Sequence, residues 1–231
     1  MSHAFDLDTV DVDGAIRETA DGVDAPTRAA FFRKAAVAGG AVLGSGAIMG
    51  MLPDMASGAP SKRQDLQILN FALTLEFLEA RFYKEAVDSG ALSGQVLELA
   101  RLLNQDEQTH VTALRQTIRR LGGKPVKEPS FDFKGTNRDQ AKFVETSFVL
   151  ENTGVRAYLG QAPRILSRQI LAAAGSIATV EARHAAAIAV VLNQSPFAGK
   201  RSITPSGAFD RATSRGKILG EVEQTGFITG S

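Results

Sequence analysis

Four stretches of the chain repeat apolar residues in alternating steps of three and four, which places them along one face of an α-helix. The pattern predicts helices over residues 62–89, 93–121, 138–159 and 163–193. Ser93 is expected to cap the second helix, and Thr136 or Asn137 the third. Pro163 suits the first turn of the fourth helix.

The links between these helices predict how they pack. The link around Gly90 and the link over residues 160–163 are short, so their flanking helices should be antiparallel neighbours. The link over residues 122–136 is long enough to run along a bundle and is rich in helix-breaking residues: Gly122, Gly123, Pro125, Pro129 and Gly135. We therefore expect an all-α four-helix bundle, made of two antiparallel hairpins joined by one long crossover.

The two predicted hairpins carry the same polar residues on their apolar stripes. In each hairpin a lone glutamate precedes a tyrosine by seven residues and precedes a Glu-x-x-His motif by 31 or 30 residues. The tyrosines of this set are the only two in the chain. The set comprises Glu76, Tyr83, Glu107 and His110 in the first hairpin, and Glu151, Tyr158, Glu181 and His184 in the second. Four carboxylates and two imidazoles are the ligands of a dinuclear metal site inside a four-helix bundle.

Burial of these groups in one core favours metal. Four buried carboxylates would repel one another, and each one left without a partner costs several kcal/mol. Two metal ions remove that cost. Carboxylate and imidazole ligands suit iron or manganese and also admit zinc. The competing interpretation is a duplicated bundle whose site has decayed, leaving hydrogen-bonded polar residues in the core.

The remaining polar residues near the stripes are interpreted more simply. Tyr83 and Tyr158 are expected to donate hydrogen bonds to the ligands or to act as plain core aromatics. Glu79 and Glu145 lie near the stripes but off their register, and are interpreted as solvated or accessory carboxylates. His3, the only other histidine, is expected to be inert.

Composition excludes several classes of function. The net charge of +1 favours neither nucleic acid nor an anionic membrane as a partner. The chain contains no cysteine, which excludes disulfides, zinc–thiolate sites, iron–sulfur clusters and cysteine nucleophiles.

The N-terminal segment differs from the rest of the chain. Residues 1–26 are acidic and poor in large apolar groups, which is typical of disorder. A basic stretch follows, then a Gly- and Ala-rich apolar run over residues 35–52 and a small-residue exit near Ala59, the three parts of an export signal. An uncleaved membrane anchor over residues 35–52 stays open as the alternative. We divide the chain into a leader (1–59), a helical bundle (60–195) and a C-terminal tail (196–231) in which a short helix is expected.

The leader resembles a twin-arginine export signal. Its pattern is fitted by Thr27, Arg28, Phe31, Phe32 and Arg33, whereas Ala29 stands where the second arginine belongs. The resemblance implies export to the periplasm or cell envelope.

Residues 62–194 resemble the ferritin-like superfamily, in particular an exported branch related to desiccation-associated proteins, and the segment over residues 70–83 is similar to that branch's first helix. The rubrerythrin and bacterioferritin pattern of Glu, Glu-x-x-His, Glu, Glu-x-x-His implies that Glu107 and Glu181 bridge two irons. It also implies that Glu76, His110, Glu151 and His184 are terminal ligands.

The resemblance implies oxidation of Fe(II) by dioxygen or peroxide, or reduction of peroxide, in stress protection. Because the chain has no cysteine, it cannot carry a rubredoxin-like electron donor. The alternative is a non-catalytic bundle of the cell envelope with a vestigial or purely structural metal site. A homodimer through the bundle faces stays open.

Overall fold

The computed structural model describes residues 61–192, 197 and 199–230. Its elements, in chain order, are α1 (Lys62–Asp88), α2 (Gly94–Arg120), β1 (Ser130–Phe131), a 3₁₀ turn (Thr136–Arg138), α3 (Gln140–Gln161), a second 3₁₀ turn (Ala162–Arg164), α4 (Arg168–Leu192), α5 (Arg215–Thr225) and β2 (Ile228–Gly230). The predicted all-α bundle is confirmed. The leader over residues 1–59, with His3 and the export pattern, lies outside the described residues.

The four long helices form the two expected hairpins. Helix α1 packs mainly against α2, and α3 mainly against α4, while the segment between Arg120 and Gln140 crosses from one hairpin to the other. The crossover contains no α-helix, as its glycines and prolines predict.

Two predicted helix starts are wrong. Helix α3 is capped by Asp139, whose carboxylate accepts a hydrogen bond from the Lys142 amide at 3.0 Å, because Asn137 is taken up in the preceding 3₁₀ turn. Pro163 lies in the second 3₁₀ turn, and α4 begins only at Arg168.

A distant carboxylate explains the delayed start of α4. Asp65 of α1 is buried and accepts hydrogen bonds from the backbone amides of Leu166 at 2.7 Å and Ser167 at 2.9 Å. These two amides precede α4, so Asp65 fixes the chain at the entry of the helix and also joins the two hairpins. Ser93 does stand at the N-cap of α2, but its side chain makes no capping bond and instead contacts Gln140.

Helix α1 is buried on most of its circumference, beyond the predicted stripe. The crossover covers one side, where Asn70 accepts a hydrogen bond from the Val126 amide at 2.7 Å and Arg81 pairs with Glu128. Phe82 is fully buried and stacks on Phe143 with ring centroids 5.4 Å apart. The helix is therefore the central element on which the crossover and α3 pack.

The C-terminal segment packs on the bundle through the short helix expected there. Ile218 and Val222 of α5 are buried in the same apolar cluster as the aromatic residues of α1 and α3. The guanidinium of Arg156 on α3 donates to both carboxylate oxygens of Glu221, at 3.3 and 2.8 Å. Strand β2 then pairs antiparallel with β1 of the crossover, so the tail holds α3 and the crossover together.

Helix α4 is the one helix within the described parts of the chain that is long and apolar enough to cross a membrane. It carries Glu181 and His184, both buried inside the bundle. Of its most apolar stretch, 33% is buried in the bundle.

Gly160 allows the tail to approach α3. A Cβ on this residue would lie 1.8 Å from the backbone oxygen of Thr213, whose amide donates to the Arg156 carbonyl at 3.0 Å. We expect Gly160→Ala to detach the tail and to destabilise the fold by about 2 kcal/mol, a typical cost of overpacking. Denaturant unfolding measures the loss, and limited proteolysis measures exposure of the tail.

Gly220→Ala in α5 is the matched control. A Cβ there meets nothing within 4 Å, so the exchange should stabilise the helix by about 0.5–1 kcal/mol. Equal effects of the two exchanges would contradict the packing role of Gly160.

Candidate metal centre

The structure brings all six predicted ligand residues together in the core of the bundle. Each is buried, and they come from all four long helices: Glu76 from α1, Glu107 and His110 from α2, Glu151 from α3, and Glu181 and His184 from α4. They form two overlapping groups, and within each group the ligand atoms lie within 4.8 Å of one another. Their position follows from the apolar stripes, which turn these residues inward together with their hydrophobic neighbours.

The two groups share two glutamates. One group consists of Glu76, Glu107, His110 and Glu181, and the other of Glu107, Glu151, Glu181 and His184. Glu107 and Glu181 therefore lie between two possible ion positions, while each of the other four residues belongs to one position. The bridging and terminal roles that the family resemblance implies stay a prediction.

The imidazoles lie among the carboxylates. The His110 Nδ1 atom is 3.1 Å from Glu76 Oε2, 3.0 Å from Glu107 Oε2 and 3.2 Å from Glu181 Oε1. The His184 Nδ1 atom is 3.1 Å from Glu107 Oε1 and 3.2 Å from Glu151 Oε2. Each histidine thus directs Nδ1 towards carboxylates of both hairpins, and the ring centroids are 6.4 Å apart.

Asp106 is a functional candidate that the sequence analysis missed. Its Oδ2 atom lies 3.1 Å from His184 Nε2, on the side of the ring that faces away from the centre. A carboxylate in this place accepts the Nε2 proton and leaves Nδ1 free to bind a metal. The sequence contains one indication of its role, because Asp106 directly precedes the predicted ligand Glu107. Only the packing of α2 beside α4 brings Asp106 to His184.

Each tyrosine hydrogen-bonds a glutamate of the other hairpin. Tyr83 donates to Glu151 Oε1 and Tyr158 to Glu76 Oε1, both at 2.5 Å. Burial, together with the charge of the nearby glutamates, raises the pKa of both phenols well above its usual value. The tyrosines are therefore neutral donors that orient the carboxylates of Glu151 and Glu76.

Without metal, the site binds protons tightly. Burial and the charge of Glu76 raise the pKa of Glu107 to about 8, and burial and the charge of Glu107 raise the pKa of Glu181 well above its usual value. Burial alone would lower the pKa of His184, but its contacts with the carboxylates of Glu107 and Glu151 raise that pKa to about 10. For Glu76, burial alone would raise the pKa, but the hydrogen bond and the charge of His110 hold that pKa below its usual value.

The donor set fits metal ions. Both carboxylate oxygens of Glu181 and Oε1 of Glu107 are buried and have no hydrogen bond to any residue that the structure describes, although histidine nitrogens lie nearby. Buried carboxylate oxygens in proteins almost always accept a hydrogen bond. The three oxygens without one belong to Glu107 and Glu181, the residues that both groups share. Two ions placed between the shared glutamates would satisfy these oxygens.

Glu79 is a fifth carboxylate buried beside the four ligand glutamates, so of its two interpretations the solvated one is wrong and the accessory one is left. It lies one helical turn after Glu76 and is 2% exposed, because α1 is covered on most sides. Its Oε2 atom has no hydrogen bond. Glu145, in contrast, is exposed and pairs with Arg201 at 3.1 Å.

The two hairpins differ at this point. The residue that corresponds to Glu79 in the second hairpin is Gly154, three residues after Glu151. A Cβ on Gly154 would lie 3.3 Å from Glu181 Oε2, so the glycine leaves room for that carboxylate. The duplicated ligand set therefore has unequal surroundings, with an extra acid at Glu79 on one side and no side chain at Gly154 on the other.

The fold and the donor set define a carboxylate–histidine helical-bundle protein. The chain belongs to the ferritin-like domain family, whose sequence model matches residues 64–194, more than half of the chain. No curated protein matches the chain. The matched range begins just inside α1 and ends just beyond α4, so it covers all six ligand residues.

Asp106 should control metal affinity on the His184 side of the centre. We expect Asp106→Ala to weaken binding of one of two ions by about 10–100-fold, the usual effect of losing a carboxylate behind a histidine ligand. Asp106→Asn keeps an oxygen acceptor for the His184 ring, so this variant should lose less metal affinity than Asp106→Ala. Competition titration with a chromophoric chelator measures both, and equal affinity of Asp106→Ala and the unaltered protein would contradict the assignment.

Glu79 should make the metal-free fold sensitive to pH. Burial and the surrounding glutamates raise its pKa well above 4.5, so the folded state keeps a proton that the unfolded state releases as the pH rises past that value. Folding stability is therefore lost with rising pH. Glu79→Gln should remove the part of this loss that Glu79 causes. In thermal melts with chelator, the variant should exceed the unaltered protein in Tm at pH 8 and approach it near pH 4.

Glu145→Gln is the control for this comparison, because Glu145 is exposed. The idea fails if Glu79→Gln and Glu145→Gln shift the Tm by the same amount over the whole pH range.

Proposed function

We propose that the bundle holds a dinuclear metal centre, with iron as the metal and manganese or zinc as alternatives. The observation that carries the proposal is that Glu107 and Glu181 belong to both groups of ligand atoms and keep carboxylate oxygens without hydrogen bonds. Glu76 and His110 would complete one ion position, and Glu151 and His184 the other.

We propose further that the centre oxidises Fe(II) with dioxygen or reduces peroxide. Iron bound there would supply this chemistry, because two Fe(II) give one electron each. Dioxygen takes up two electrons and two protons to form hydrogen peroxide, and hydrogen peroxide takes up two electrons and two protons to form two waters. Fe(II) and the oxidant are then small-molecule substrates. Since the chain has no cysteine, an external reductant or substrate iron must provide the electrons.

The protein residues would bind the ions, orient the ligands and exchange protons. Tyr83 and Tyr158 fix the terminal glutamates, and Asp106 fixes His184. Metal binding displaces protons from the imidazoles and from the raised carboxyl groups. Complete burial of Glu107 and Glu181 keeps bulk water away from the space between the ions.

The place of action is proposed from the leader alone. The twin-arginine-like pattern with Ala29 in the second arginine position supports export to the periplasm or cell envelope, where stress protection would take place. Anchoring by residues 35–52 is the alternative, and a homodimer remains a prediction.

A second candidate is a non-catalytic helical bundle. The specific observation in its favour is that both histidines already lie within ion-pairing distance of the glutamates. Protonated imidazoles would then neutralise part of the carboxylate charge, and the site would hold the bundle together without metal.

Metal stoichiometry separates the two candidates. Protein purified without chelator or affinity metal should contain about two metal ions per chain and should develop ferric absorbance when Fe(II) and oxygen are added. Glu107→Gln and His184→Ala should each fall to one ion or fewer while keeping a helical circular dichroism spectrum, because each removes a ligand of the centre.

Glu98→Gln is the matched control, since Glu98 is exposed on the same helix as Glu107. It should keep both ions. The metal centre would be refuted if the protein took up neither Fe(II) nor Mn(II) and if chelator left its Tm unchanged. That result would favour the non-catalytic bundle.

A further inference from the structure

A cavity of about 50 Å³ lies in the bundle next to the metal centre. Its wall includes residues one helical turn away from the ligands: Ala72 precedes Glu76 by four residues, Leu114 follows His110 by four, and Ile177 precedes Glu181 by four. Four residues of helix span roughly 6 Å, so the cavity lies directly below the position formed by Glu76 and His110. Tyr158, which donates to Glu76, forms part of the wall between them.

The lining is almost entirely aliphatic or aromatic. Leu69, Phe71 and Leu75 of α1 face Ile170 and Ile177 of α4, and the wall includes no charged residue from the described ranges. The space is well above the roughly 10–15 Å³ that one water needs, but an apolar wall gives water few partners. Such a cavity favours an apolar occupant over water.

One polar group at the far end has no partner. Gln161, the last residue of α3, lines the cavity and is 3% exposed. Its amide nitrogen has no hydrogen bond within the described part of the chain. A buried donor left unpaired costs about 1–3 kcal/mol, so a ligand oxygen that accepts from it would recover that energy.

The cavity can be reached from outside between α2 and α4. Ala113 of α2 and Ala173 of α4 belong to its wall and are also exposed. These two helices pack against their hairpin partners much more than against each other. Small side chains therefore border the opening, and a ligand longer than the cavity could extend through it.

We propose that this cavity, the Gln161 pocket, binds a neutral organic molecule with an apolar body and one oxygen acceptor. The oxygen accepts a hydrogen bond from Gln161, and the apolar body fills the space towards Tyr158 and the metal centre. This site goes beyond the proposed iron chemistry, because none of its lining residues is a metal ligand.

The test uses 1-hexanol, which has the acceptor, and hexane, which lacks it. Calorimetry or methyl NMR shifts of Ile170 and Ile177 in the full chain should show saturable binding of 1-hexanol, tighter than that of hexane. Gln161→Leu should lower the affinity for 1-hexanol by about five- to tenfold, which is the effect of losing one hydrogen bond. The same exchange should leave the affinity for hexane unchanged.

Blocking variants test the location. Ala174→Phe and Ala113→Phe place a large ring at the wall and should each abolish binding. Ala172→Phe is the matched control, because Ala172 is exposed on α4 and is not part of the wall. It should bind 1-hexanol as the unaltered protein does.

The proposals for the pocket and for the metal centre can be refuted independently of each other. Binding of 1-hexanol should persist after chelation, and Gln161→Leu should keep its metal content. Absence of saturable 1-hexanol binding, or binding that Ala174→Phe and Ala113→Phe leave unchanged, would overturn the pocket. Equal affinity of Gln161→Leu and the unaltered protein for 1-hexanol would overturn the role of Gln161.

Discussion

The structure depends on the neutralisation of acidic groups inside a small apolar core. Glu76, Glu107, Glu151 and Glu181 are all nearly fully buried, and Glu79 adds a fifth carboxyl group beside them. Carboxylates at such depth ionise only when positive charge or donated hydrogen bonds offset the loss of water. The histidines, the tyrosines and the proposed metal ions all serve this one requirement.

This requirement also explains how the two hairpins are held together. Tyr83 of the first hairpin bonds Glu151 of the second, and Tyr158 of the second bonds Glu76 of the first. His110 reaches Glu181, and His184 reaches Glu107, again between hairpins. The polar centre therefore adds to the apolar clusters in joining two hairpins whose helices pack mainly on their own partner, and metal occupancy should couple directly to the stability of the bundle.

The two halves nevertheless differ around the shared ligand set. Glu79 stands on one side and Gly154 on the other, and Asp106 supports only His184, since the corresponding residue before Glu181 is Val180. The Gln161 pocket also lies below the Glu76 and His110 position alone. Such asymmetry would give the two proposed ion positions different affinities and different access, so a duplicated ligand set need not act as two equal sites.

The sequence by itself determined the bundle, its hairpin order and the six residues gathered at the centre, because all of these follow from helical periodicity and from the lengths of the links. Helix starts were less predictable: the entry of α4 depends on Asp65, a carboxylate about one hundred residues away in sequence. The burial of Glu79, the position of Asp106 behind His184 and the Gln161 pocket were decided only by the tertiary structure. Each depends on which elements cover a given helix face, and a local pattern of apolar and polar residues does not contain that information.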